Sequence, residues 1–109
     1  MIHLEPRHLQ AVHHILAHYV PEYETWAFGS RVHGRNLKPF SDLDLAILTD
    51  KPLAPARYAA LEEAFSESDL PFKVDIVDWA TTNDSFRTLI ETEHSIVQVA
   101  NSTVAESRT

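Results

Sequence analysis

FGSRVHGRNLKPFSDLDLAIL, residues 28–48, contains both glycines of the chain, Gly29 and Gly34, and closes on an apolar run interrupted by Asp42 and Asp44. Just ahead of it, Thr25–Phe28 (TWAF) has the aromatic bias of a short strand, and Gly29 breaks that strand. Ser30 is placed to cap a short helix beginning at Arg31, and Gly34 to stop it. Residues 36–40 form a loop, with Pro39 excluding regular structure. Residues 41–48 then alternate as a strand. Leu43, Leu45 and Ile47 share one face, and Asp42, Asp44 and Ala46 share the other. Two carboxylates on one strand face lie about 7 Å apart along the chain. They repel each other, and partial desolvation adds to the cost. A hard cation removes the conflict, and magnesium suits carboxylate oxygens while leaving positions for phosphate and water.

Working outward, residues 5–20 read as a helix with Pro6 in its first turn, an apolar stripe through Leu9, Val12 and Leu16, and a stop at Pro21. Residues 55–66 form a second helix, with Tyr58, Leu61 and Phe65 on one side. Residues 72–77 (FKVDIV) form a strand with Val74 and Ile76 on one face and Asp75 on the other. A helix capped by Asn83 or Asp84 runs to about Thr92, with Phe86, Leu89 and Ile90 turned inward, and residues 95–99 fit either helix or strand. The order predicts an α+β (mixed α/β) fold with a small mixed sheet of three to four strands flanked by helices. The residue-41 and residue-72 strands, joined through a helix, are neighbours, parallel if the connection is a simple crossover. One domain spans 1–100, and 101–109 is a polar, flexible tail.

Composition narrows the function. The 109 residues suit one domain, and 44% apolar with 23% charged residues is ordinary for a globular chain. With no cysteine, disulfides and thiolate metal sites are excluded, which agrees with a cytoplasmic location. No signal peptide or membrane-spanning run is visible. Nine Lys and Arg against sixteen Asp and Glu leave a net charge of −7, so a nucleic-acid polymer is not the expected partner. A single nucleotide with its metal ions needs only a local site, and an acidic surface suits a basic protein partner.

Asp75 on its later strand can join Asp42 and Asp44, and three carboxylates on one face suit two ions serving an in-line displacement at phosphorus. The turn at Gly29 and Ser30 offers backbone N–H groups to phosphate, and Arg31 and Arg35 stand close enough to neutralise it. Other polar residues read more simply. His8, His13, His14 and His18 are solvated histidines, and Asp78 takes a surface or capping role opposite Asp75. Trp26, Phe28, Trp79 and Phe86 read as core.

Gly-Ser, a spacer and Asp-x-Asp at a strand start resemble the nucleotidyltransferase fold shared with DNA polymerase beta and kanamycin nucleotidyltransferase. The form GSRVHGR…SDLDLAIL followed by VDIVDW is most similar to the minimal nucleotidyltransferases, the MNT or MntA-type antitoxins, over residues 26–90. The resemblance implies that Gly29 and Ser30 hold a triphosphate, that Asp42 and Asp44 bind two Mg²⁺ ions, and that Asp75 completes the metal site beside the acceptor hydroxyl. It also implies ATP as AMP donor, a HEPN-domain RNase toxin as partner in a hetero-oligomer, and a toxin tyrosine as acceptor. The spacer between Ser30 and Asp42 is one residue longer than the usual antitoxin form, with Pro39 or Phe40 as the insertion. Two other functions fit the same residues: an antitoxin that acts by occlusion alone, and a small-molecule nucleotidyltransferase subunit whose acceptor domain lies on another chain.

Overall fold

A computed structural model describes residues 2–100; the expected polar tail, 101–109, lies outside the described residues. The elements run α1 (Pro6–Tyr19), β1 (Thr25–Phe28), α2 (Ser30–His33), β2 (Leu43–Ile47), α3 (Pro55–Ser66), β3 (Val74–Asp78), a 3₁₀ turn (Trp79–Thr81), α4 (Asp84–Thr92) and β4 (Ser95–Gln98). The strands form one mixed sheet in the order β3-β2-β1-β4. The β1 strand is antiparallel to β2 and to β4, whereas β2 and β3 are parallel. That parallel pair is what a crossover through α3 requires, since no tight turn can join parallel strands. Residues 95–98, undecided in the sequence, become the edge strand β4.

Strand alternation gives the sheet two unlike faces. Leu43, Leu45 and Ile47 of β2 lie beside Ala27 of β1 and Ile76 of β3, and α1 and α3 close over them with Val12, Leu16, Leu61 and Phe65. Leu16, Leu43, Leu45, Ile47 and Leu61 are fully buried, and each such side chain contributes roughly 1.5–3 kcal/mol by leaving water. On the other face, Trp26 covers one end. It stacks on His94 at 3.8 Å, meets Trp79 edge-on at 5.5 Å and donates its indole N–H to Glu24 at 2.6 Å. The opposite end of that face carries Asp44 and Asp75.

Local differences from the sequence reading have physical causes. Gly29, not Ser30, is the N-cap of α2, and Ser30 is already helical with no side-chain cap bond. The positive φ of Gly29 (82°) turns the chain more sharply than a Ser cap does. The β3 strand begins at Val74 rather than Phe72. Phe86 and Leu89 are not inward; they are 37% and 68% exposed, and of α4 only Ile90 is buried. Asn83 caps α4 as expected, accepting from the Phe86 N–H at 2.8 Å. Asp78 is not on the surface but buried. Its alternation does place it opposite Asp75, but its side chain caps no helix: the Thr49 hydroxyl donates to one carboxylate oxygen and the Leu53 N–H of the β2–α3 connection donates to the other at 2.8 Å.

Candidate active site

The end of the open face away from Trp26 is a row across three strands. Phe28 of β1 is in register with Asp44 of β2, which is in register with Asp75 of β3. Registered partners project from one face and stand about 5 Å apart, so the two carboxylates and the aromatic ring share a strip of surface. Gly29 follows Phe28 and completes the strip. A Cβ on Gly29 would collide with Asp44 Oδ2, and its φ of +82° disfavours any side chain. The glycine therefore permits the close approach of the α2 turn to the Asp44 carboxylate. The Val32 and His33 N–H groups donate to the Gly29 carbonyl at 2.9 and 3.1 Å, which leaves Ser30 and Arg31 as the α2 residues whose N–H groups precede the first helical acceptor.

Asp44 is half-buried. Burial, then the neighbouring charges of Asp75 and Asp42, push its carboxyl from 3.8 up to about 6. Among the described residues no hydrogen bond to the Asp44 carboxylate offsets that cost. Asp75 is paired instead, with Lys73 Nζ at 3.3 Å. Lys73 was missed in the sequence, although its two-residue spacing from Asp75 puts both on one strand face. Asp42 is exposed and precedes β2, so it is not the strand residue that alternation predicts.

The donor set suits a hard cation with a qualification. Among the described residues no three acidic or histidine side chains stand close enough to share an ion. The expected three-carboxylate cage is therefore not formed by the side chains alone. Magnesium commonly binds through one or two carboxylates and fills its octahedron with phosphate oxygens and water. An unpartnered Asp44 flanked by two further carboxylates fits that open kind of site.

The two arginines part company. Arg31 is buried, and its guanidinium donates to the carbonyls of Ser41 (2.8 Å), Pro39 (2.9 Å) and His3 (3.0 Å) while lying 4.2 Å over the Phe72 ring. Its donors tie down the 36–41 loop, where sequence reasoning had placed them on phosphate. The same ring receives His8 edge-on at 5.6 Å. The loop before Asp42 is closed on itself here. Ser41 N–H reaches back to the Lys38 carbonyl, the Ser41 hydroxyl accepts from Lys38 N–H, and Phe40 is left 71% exposed. Arg35 is exposed beside Gly29 and pairs with Glu93 at 3.1 Å.

This architecture is that of a nucleotidyltransferase. Residues 10–102 match the family model described as "Polymerase beta, Nucleotidyltransferase", and the chain belongs to that family. It is 48% identical over 101 residues to a probable protein adenylyltransferase MntA of Haemophilus influenzae, covering 93% of this chain and 88% of that protein. Solved structures share the fold at lower identity. A toxin–antitoxin complex with AMP-PNP aligns at TM-score 0.70 and 21% identity, over 86% of this chain and 75% of that one. The MNT antitoxin complex with a tri-AMPylated HEPN toxin from Shewanella oneidensis aligns at TM-score 0.66 and 17% identity, over 94% and 78%. No helix among the described residues is long and apolar enough to cross a membrane.

Proposed function

We propose that this chain transfers AMP from ATP to a tyrosine hydroxyl of a HEPN-domain toxin and acts as the antitoxin of that pair. The observation that carries the reading is the row of Asp44 and Asp75 beside the Gly29 turn, where an unpartnered carboxylate awaits a counter-charge. The similarity to a protein adenylyltransferase selects the acceptor class.

In this reading the α2 turn at Gly29 and Ser30 donates N–H groups to the β- and γ-phosphates. Asp42 and Asp44 would hold the two Mg²⁺ ions, and Asp75 would support one of them on the acceptor side. When bound, the ions neutralise phosphate charge and make the acceptor hydroxyl easier to deprotonate. The tyrosine oxygen forms a bond to the α-phosphorus, the bond from that phosphorus to the bridging oxygen breaks, and pyrophosphate leaves with the electron pair. The tyrosine proton passes to Asp75 or to water. A phenol has a pKa of about 10 and a carboxyl of about 4, so Asp75 is a weak base alone and serves chiefly to position the acceptor and take the proton transiently. Arg31 acts at a distance, by holding the loop that delivers Asp42.

The test is co-expression with a HEPN toxin and intact-mass measurement of that toxin. Wild type should add one or more AMP units, and Asp44→Asn should reduce the transfer rate by about 100-fold or more. Unmodified toxin that is nonetheless silenced by wild type and by Asp44→Asn alike would replace catalysis with occlusion.

A further inference from the structure

The α2 helix, Ser30–His33, is a single turn, and one turn does not hold itself together in water. Contacts from outside must fix the segment that presents the Ser30 and Arg31 N–H groups. The chain just beyond α2 does not supply them in full. The Arg35 N–H donates to His33 Nδ1, so the Arg31 carbonyl is left without a helical donor. Its partner comes from the N-terminal segment. The His3 N–H donates to the Arg31 carbonyl at 2.5 Å, and the Arg31 guanidinium donates to the His3 carbonyl at 3.0 Å. Burial of the neighbours holds His3 in place. Ile2 and Leu4 pack against the core, and the His3 side chain between them is exposed.

We propose that His3 is a positioning residue for the transfer: its main-chain N–H and C=O clamp Arg31 and thereby fix the Gly29–Ser30 turn relative to the Asp42 loop. The proposal rests on the transferase reading above and adds residues 2–4 to its machinery. Arg31 is the link between the two halves of the site. Its main chain belongs to the turn that faces the phosphates. Its guanidinium donates to the Pro39 and Ser41 carbonyls, and Ser41 immediately precedes Asp42. The third carbonyl on that guanidinium is His3, so one side chain joins three segments that are far apart in sequence. Slack at His3 lets the phosphate turn and the Asp42 carboxylate drift apart. A magnesium ion shared between phosphate oxygens and carboxylate tolerates little drift, because it demands near-ideal octahedral geometry. Loss of the clamp therefore weakens metal–nucleotide binding more than it weakens the fold.

Calorimetric titration of the full chain with Mg²⁺–AMP-PNP tests this. Wild type, His3→Ala, His3→Pro and Val97→Ala are compared at a temperature where melting curves show each to be folded. His3→Ala removes the exposed ring and keeps both main-chain bonds, so it should stay within about twofold of wild type. His3→Pro also removes the N–H, and should weaken binding at least about fivefold. The Mg²⁺ concentration that half-saturates AMP transfer should rise by a similar factor. Val97→Ala truncates a buried side chain on the edge strand β4 and controls for lost stability; it should stay within about twofold. If His3→Pro does not fold, Arg31→Lys takes its place with the same expectation, since it keeps the charge and loses the planar fork. A clamp variant equal to wild type overturns the proposal and leaves the transferase reading intact. Equal losses in His3→Ala and His3→Pro assign the effect to the imidazole and overturn the main-chain clamp. A loss in Val97→Ala as large as in His3→Pro reduces the effect to general stability and overturns it as well. Failure of wild type to bind Mg²⁺–AMP-PNP sinks the transferase reading, and the clamp's role with it.

Discussion

On the helix-covered face of the sheet, Asp78 is only 8% exposed, yet each of its carboxylate oxygens has a donor, from the Thr49 hydroxyl and the Leu53 N–H. On the open face, Asp44 is less buried and has its pKa pushed up to about 6 by burial and two like charges. Burial alone does not distinguish a structural carboxylate from a functional one. The difference is whether the protein itself supplies the partners. Where it does, the group is part of the fold; where it does not, the counter-charge has to come from a ligand.

The largest effect should come from breaking the satisfied side. Asp78→Ala removes the acceptor of the Thr49 hydroxyl and of the Leu53 N–H and leaves both donors in a dry environment. Each unpaired buried group costs about 1–3 kcal/mol, so a loss of about 2–6 kcal/mol is expected. In a domain of this size that lowers the melting temperature on the order of 10 °C or more. Thermal unfolding checks it, and a shift under about 3 °C would mean that water replaces the carboxylate and that the two faces differ less than their hydrogen bonds suggest.

A smaller effect of opposite sign belongs to Asp44. Its folded-state value of about 6 lies above the ordinary 3.8, so the folded protein holds the proton more tightly than the unfolded chain. The penalty is complete above about pH 6 and fades as pH falls towards 4, which means that this group makes the metal-free protein more stable on acidification. The full linkage is about 3 kcal/mol, and screening at a half-exposed carboxylate reduces it to about 1 kcal/mol. Metal-free Asp44→Asn should therefore be more stable than wild type by about 1 kcal/mol at pH 7.5 and level with it near pH 4. Magnesium affinity of the wild type should rise with pH through about 6, because the ion competes with the Asp44 proton. Parallel urea titrations at the two pH values test the first part, and calorimetry at pH 5 and pH 7.5 tests the second. A variant less stable than wild type at pH 7.5 would reverse the contrast between the faces.

How far the sequence could carry this depends on what each residue's environment owes to local pattern. Alternation in residues 43–47 and 74–78 assigned both faces, because a strand's two-residue period admits no other arrangement. The α4 cap at Asn83 was legible for the same local reason. Arg31 was not. Next to Gly29 and Ser30 it looks like a phosphate ligand, and only the path of residues 36–41 brings three carbonyls to it. Phe86 and Leu89 share the helical spacing of Ile90 and so looked like core; their exposure follows from where α4 sits relative to β1, a tertiary fact with no signature in the spacing. Asp78 could be placed opposite Asp75, but its Thr49 and Leu53 partners come from a connection whose course the sequence does not state.

The smallest test lies within the covered face itself. Thr25 is fully buried there, in register with Ile47, and its hydroxyl has no hydrogen-bond partner among the described residues. Asp78, on the same face, has donors from a loop; Thr25 stands in the central strand β1, in register with Ile47 of β2 and Gln98 of β4, and the Gln98 amide donates elsewhere, to the Val20 and Tyr23 carbonyls. A hydroxyl in that position carries a desolvation cost with nothing to offset it. Thr25→Val keeps the β-branched shape and removes the polar atom, so it should stabilise by about 0.5–1 kcal/mol, read as a rise of a few degrees in melting temperature. Thr25→Ser supplies the control. It retains the hydroxyl and deletes a methyl, and should destabilise by about 1 kcal/mol. If Thr25→Val were instead destabilising by as much as Thr25→Ser, the hydroxyl would have a bound water as partner, and the covered face would satisfy its polar groups as completely at Thr25 as it does at Asp78.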